Sequence, residues 1–91
     1  MKPSELLQQY GWCQGSYARD KSGASIAPHE EYADSFCLIG ACCRCDATTK
    51  EIESVYQHIK NVYGKYAATL WNDEPGRVKQ DVIDVLKAVG L

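Results

Sequence analysis

Apolar residues recur at helical spacing in several stretches of this chain and lose that period in others, and the alternation sets the expected elements. A first helix is expected from Pro3 to Tyr10, with Leu6, Leu7 and Tyr10 on its apolar stripe. Gly11 would close it in the left-handed conformation that glycine takes without a Cβ penalty. From Trp12 to Ile26 the helical period disappears. There the run Arg19-Asp20-Lys21-Ser22-Gly23 reads as a turn between two extended arms, about Gln14 to Arg19 and Ala24 to Ile26, a short β-hairpin anchored by Trp12 and Tyr17.

After Ala27-Pro28, the residues His29-Glu30-Glu31 place acidic groups where the first turn of a second helix would favour them. Ala33, Phe36, Cys37, Gly40, Ala41 and Arg44 would share its inner stripe. A glycine inside a helix costs about 1 kcal/mol relative to alanine, so Gly40 implies close approach of another element. Thr48-Thr49-Lys50-Glu51 fits a capping box that opens a third helix, with Ile52, Val55, Tyr56, Ile59, Val62 and Tyr63 on one face and Gly64 as its stop. A last helix is expected at or just after Pro75-Gly76. It would bury Val78, Val82, Val85, Leu86 and Val89 and end at Gly90. The predicted fold is mainly helical α+β, four helices with one short β-hairpin between helix 1 and helix 2, in a single domain over residues 1–91.

Ninety-one residues suit one core, which at this size buries roughly 60 to 65% of the unfolded surface. Ten Lys and Arg against twelve Asp and Glu give a net charge of -2 with the signs interleaved. Direct nucleic-acid binding is therefore not expected, because such binding draws most of its affinity from a concentrated basic face. A polyanionic DNA mimic would need a larger acidic excess. The segment after Gly64 is also too long for a helix-turn-helix. No apolar run follows the basic start, and the longest uncharged apolar run, Ser35 to Cys43, is too short to span a bilayer. A cytoplasmic protein with no membrane partner is expected.

Five cysteines are present, four of them (Cys37, Cys42, Cys43, Cys45) within nine residues. Reduced thiols acting as small apolar fillers are the expected state. Two other readings stay open. Cys42 and Cys45, three apart, could join Cys13 and His29 or His58 in a zinc site, although structural zinc usually draws its ligands from two knuckles. Alternatively Cys13 could act as a nucleophile with His29 or His58 as base and Asn72 or Asp73 to orient it.

The densest chemistry lies in two segments, Gly11-Trp12-Cys13-Gln14-Gly15-Ser16-Tyr17-Ala18-Arg19-Asp20 and Leu70-Trp71-Asn72-Asp73-Glu74-Pro75-Gly76-Arg77. The two are expected to clasp one another, with Trp12, Cys13, Gln14, Arg19, Asp20, Trp71, Asn72, Asp73 and Arg77 in structural or binding roles. Asn72 or Asp73 would cap the helix that follows, and Arg19 and Arg77 would each pair with a carboxylate, pinning the hairpin to the last helix, or else bind an anionic ligand. The aromatic supply is Tyr10, Trp12, Tyr17, Tyr32, Phe36, Tyr56, Tyr63, Tyr66 and Trp71. Those left at the surface would suit protein-binding hot spots.

The order of these motifs, Gly11-Trp12-Cys13-Gln14-Gly15, Ala18-Arg19-Asp20, Cys37-Leu38-Ile39-Gly40-Ala41 and Trp71-Asn72-Asp73 with Arg77, resembles a family of small uncharacterised proteins from actinobacteria and bacteriophages. The resemblance covers most of the chain and implies one small domain in a bacterial or phage setting, with no assigned activity. Cys42, Cys43 and Cys45 depart from it, standing where small apolar residues are typical. No catalytic, cofactor or metal residue is assigned. The expected function is a non-enzymatic protein-binding module, an accessory or anti-defence protein of a phage or mobile element such as an anti-CRISPR inhibitor. Its partner would be a host or phage protein, with a second copy of the chain as a further candidate. The alternatives are a small enzyme or ligand binder built on Cys13, Arg19, Asp73 and Arg77, and a cysteine-rich zinc-binding module.

Overall fold

A computed structural model describes residues 1–64 and 67–91 of the chain; Tyr66, counted above among the aromatics, lies outside them. Among the described residues the elements run α1 (Pro3–Gln9), β1 (Gly11–Trp12), β2 (Ala18–Arg19), β3 (Ser25–Ile26), β4 (Ser35–Phe36), α2 (Leu38–Arg44), α3 (Thr49–Tyr63), α4 (Ala68–Asn72) and α5 (Lys79–Ala88). The class is α+β, as the residue pattern suggested, but with five helices instead of four and with a four-stranded sheet in place of a lone hairpin.

The sheet order is β1-β4-β2-β3. β2 and β3 are the expected hairpin arms, pairing Ala18 with Ile26 and Arg19 with Ser25. At their turn Gly23 takes φ 88°, and the Asp20 carboxylate accepts from Ser22 N (2.9 Å), Ser22 Oγ (2.6 Å) and Ala24 N (3.0 Å). The Ser22 hydroxyl is the leading reason that the Asp20 pKa lies below the ordinary carboxylate value. β4 pairs antiparallel with β2 on one side and parallel with β1 on the other.

That central strand corrects the expected second helix. Residues 27–33 form turns closed by Glu30 N to Ala27 O and Ala33 N to Glu30 O, both 3.1 Å, and α2 begins only at Leu38. A helix through this stretch would have used the carbonyls of Pro28 and Glu30 internally. Instead both accept from the Arg44 guanidinium at 2.8 Å, which also lies over the Phe36 ring. Cys37 is the N-cap of α2, its sulfur accepting from Gly40 N at 3.2 Å. The next five residues are all buried, as expected of a helix with no polar face.

Glycines account for two close approaches. A Cβ on Gly40 would overlap the Tyr17 carbonyl oxygen, which accepts from Cys37 N at 3.1 Å. Gly11 is not a left-handed helix stop; it sits in β1, where a Cβ would come within 3.1 Å of Ser35 Cβ. The helix ends one residue earlier, on an extended Tyr10.

The capping box of α3 forms with Thr48 and Glu51, and Gly64 closes the helix at φ 70°. Val55 and Ile59 reach the core, whereas Tyr56, Val62 and Tyr63 remain exposed. α5 starts three residues beyond Gly76. Neither Asn72 nor Asp73 caps it; Val78 N donates to the Asp81 carboxylate at 3.1 Å instead. Val82, Val85 and Leu86 are buried, Val89 partly so, and Val78 stays exposed. α1 packs against α5 and α2, α4 against α2 and α3. The final residue closes the core, with Leu91 O accepting from Ser4 N and Ser4 Oγ. No helix is long and apolar enough to cross a membrane among the described residues.

Candidate functional site

Asn72 is the polar centre of the molecule. It ends α4, a helix of five residues, and is fully enclosed at 0% exposure. Its Oδ1 accepts from Trp12 Nε1 at 2.8 Å and from Leu38 N at 3.0 Å. Its Nδ2 donates to Cys13 O at 3.1 Å and to Asp73 Oδ1 at 2.9 Å. Both lone pairs and both protons of the amide are thereby used, the condition under which a buried amide ceases to be a liability. One side chain thus joins β1, the loop after it, the first turn of α2 and α4.

The neighbouring residues repeat the theme. Gln14 Nε2 donates to the carbonyls of Asn72 (3.0 Å) and Glu74 (3.1 Å), and Gly15 N donates to Asp73 Oδ1 at 3.0 Å. Among the described residues Arg19 reaches no carboxylate; its guanidinium donates to the carbonyls of Gly23 (2.9 Å) and Gln14 (3.1 Å). Arg77 does pair with acids, Glu74 at 2.8 Å and Asp81 at 4.0 Å, and donates to Trp71 O at 3.0 Å. The same guanidinium lies 4.0 Å from the centre of the Trp71 ring system, and the Tyr63 ring covers Trp71 at 5.1 Å between centroids. Trp71 itself is wholly buried, and its Nε1 is the one enclosed side-chain polar atom without a partner among the described residues.

Beside this clasp an open hollow of about 360 Å³ is lined by Gly15, Ser16, Tyr17, Ser25, Cys37, Thr69 and Asp73. Gly15, Ser16, Tyr17, Cys37 and Asp73 belong to segments that stand out in the sequence, whereas Ser25 and Thr69 do not. Ser16 and Ser25 meet here, their hydroxyls hydrogen-bonded across the hairpin. Cys37 lines the hollow directly after β4, while being buried with Phe36 in the core. The meeting of Cys37 with Ser16 and Ser25 carries no sequence signal, since it follows from the two-residue strand β4.

Cys13 is buried near the same place, its thiol donating to Ser16 O at 3.5 Å. Burial raises its pKa, opposed by a hydrogen bond with Ser35 and the charge of Arg19, while Asp73 adds to the rise. Cys13, Arg19 and Asp73 are therefore neighbours, whereas Arg77 is held on the Trp71 ring by contacts of its own. Burial also lifts Cys37 to about 11 and Cys42 to about 12. Such thiols stay neutral at pH 7 and behave as apolar fillers. Cys43 and Cys45 are half-buried, and no described cysteine is in a disulfide. No group of three or more His, Cys, Asp or Glu among the described residues is arranged to hold a metal ion. His29 lies at the surface, 3.7 Å from Asp46.

A second open groove, about 540 Å³, runs between Tyr10 and Tyr32 beside Asp20, Glu31 and Asp34. No curated protein and no solved structure matches the chain. A family model does match, over nearly its whole length. With residues 3–90 aligned to that model, the chain belongs to a family of unknown function, DUF6197.

Proposed function

We propose that the chain is a non-enzymatic protein-binding module that presents the face around the Gly15–Tyr17 hollow to a partner protein. One observation carries this reading. The polar side chains of Gln14, Arg19, Asn72, Asp73 and Arg77 are engaged with backbone and with each other, while the Tyr17 ring stands outward at the hollow. Tyr17, on its wall, is 54% exposed. Tyr56 is 39% exposed, and its pKa is raised first by partial burial and then by Tyr17 nearby. Tyrosine gives large contact area for little lost rotamer entropy, the property that makes it a frequent anchor in interfaces.

The resemblance to small actinobacterial and phage proteins supports a partner in the bacterial cytoplasm, a host or phage protein, with the module serving as an accessory or anti-defence factor of the anti-CRISPR kind. The test places a photo-crosslinking residue at Tyr17 and, as a control, at Lys87, in bacterial lysate. A discrete protein captured from position 17 alone, and competed away by unlabelled wild type but not by Tyr17→Ala, supports the proposal. Repeated failure to capture any protein, alongside a turnover measured for the purified chain, overturns it in favour of the enzyme built on Cys13, Arg19 and Asp73.

A further inference from the structure

Two motif cysteines are brought to one point by the parallel pairing of β1 with β4. Gly11 faces Ser35 and Trp12 faces Phe36, with Cys13 N donating to Phe36 O at 3.1 Å, and beyond that bond the Asn72 amide enters between Cys13 O and Leu38 N. Cys13 and Cys37 are the residues that directly follow this last paired position. At the paired position just before them the strands lie about 4.8 Å apart, inside the Cα separation of about 4.4–6.8 Å that a disulfide spans. The Cys13 thiol donates to Ser16 O at 3.5 Å. Ser16 and Cys37 both line the hollow.

We propose that Cys13 and Cys37 are a redox pair that closes to an intramolecular disulfide across the β1–β4 edge. The oxidant is a small-molecule disulfide of the glutathione class, admitted through the hollow. The Cys13 thiolate attacks one sulfur of the oxidant, giving a mixed disulfide and releasing one thiol. The Cys37 thiolate then attacks the Cys13 sulfur and releases the second. In sum, two protein thiols and one external disulfide become one protein disulfide and two external thiols, the thiol protons passing to the released thiolates.

Cys13 is the attacking group because the Ser35 hydrogen bond and the Arg19 charge offset part of the effect of burial. Cys37, beside it, is held at about 11 by burial, and the charge of Cys13 contributes to that rise. The step is accordingly slow at neutral pH and faster as pH rises. The other thiols offer poorer pairs. Cys42 is wholly enclosed, and Cys43 and Cys45, two apart at the end of a helix, do not face each other.

Closure has a defined structural consequence. The Cys13 sulfur must leave Ser16 O, and the Cys37 sulfur must leave Gly40 N. The loop that walls the hollow then loses an anchor, so oxidation state would be felt at that face whether or not a protein docks there.

The experiment uses the folded full chain with oxidised glutathione at mildly alkaline pH, followed by iodoacetamide, intact mass and non-reducing peptide mapping. The expected result is loss of two hydrogens without retained glutathione, one cross-linked peptide pair containing Cys13 and Cys37, and alkylation confined to Cys43 and Cys45. Cys13→Ser should show no such loss, and Cys37→Ser should stop at glutathione on Cys13. A Cys42–Cys45 bridge, unreacted Cys13 and Cys37 in the wild type, or the same two-hydrogen loss in Cys13→Ser would each overturn the proposal. The wild-type map decides even if a variant folds poorly.

Discussion

Replacing Asn72 by alanine removes the four side-chain hydrogen bonds at the clasp and leaves their partners in unequal positions. Leu38 N and Cys13 O are buried where they meet the amide and cannot recover a partner from solvent. Trp12 Nε1 is only part-buried and can turn to water, and Asp73 Oδ1 keeps its bond from Gly15 N. At about 1–3 kcal/mol for each orphaned buried group, the two enclosed ones cost about 2–6 kcal/mol. A domain of this length is stable by about 5–14 kcal/mol on the usual per-residue range. The variant should therefore lose a large part of its stability, and a weakly stable wild type would leave it unfolded. Urea titration followed by tryptophan fluorescence reads this as a lower midpoint at unchanged slope. A loss below about 1 kcal/mol would refute the reasoning, because the clasp would then be replaceable by water.

Asn72→Asp separates the two halves of the amide's role. The carboxylate keeps the acceptor bonds to Trp12 and Leu38 but sets a second negative charge against Asp73 Oδ1, where a donor now stands at 2.9 Å. Burial and like charge both raise its folded pKa above the unfolded value. The variant should therefore gain stability relative to wild type as pH falls, and a constant difference from pH 7 to 4 would contradict this.

Three further outcomes are expected. Gly40→Ala forces a Cβ into the Tyr17 carbonyl, and overpacking of this kind costs about 1–3 kcal/mol or more; a melting temperature equal to wild type would show that the loop yields freely. Arg77→Lys keeps the charge but loses the planar contact with Trp71 and the bond to its carbonyl, so the loss should be about 0.5–2 kcal/mol with altered Trp71 emission, and an unchanged spectrum would argue against the stack. At high pH, Cys37 and Cys42 contribute through pKa values of about 11 and about 12, above the ordinary 9.0. Their neutral-thiol contribution is complete below pH 9 and is lost as pH rises through those values. Cys42→Ala should flatten the alkaline fall in stability, and an identical slope would count against it.

Local chemistry was the part of the fold legible in the residue pattern. The capping box at Thr48 and Glu51, the turn at Asp20 to Gly23, the close approach at Gly40 and the meeting of the two tryptophan segments all follow from residues whose geometry is nearly fixed by type. What escaped was non-local. β1 and β4 are two residues long, too short to show an alternating period, and their pairing is visible only once the chain has closed on itself. Phe36 and Cys37 fell on the stripe of the expected second helix, and the acidic Glu30-Glu31 imitated a helix start that the sheet overrides. Asn72 was read as a cap because Asn caps many helices, whereas its burial depends on Trp12, sixty positions away. The hollow was illegible for the same reason, since Ser16, Ser25, Cys37 and Thr69 meet only through the hairpin and β4.

Hydrogen exchange at the Trp12 indole and at Leu38 N tests the Asn72 clasp most directly. If one amide oxygen holds both protons, Leu38 N should exchange only on global unfolding in the wild type, Trp12 Nε1 should be clearly slowed, and both should lose protection in Asn72→Ala under conditions where that variant remains folded. Exchange of Trp12 Nε1 at the rate of free indole in the native protein, or protection of Leu38 N unchanged by the substitution, would mean that the two tryptophan segments are not joined through Asn72.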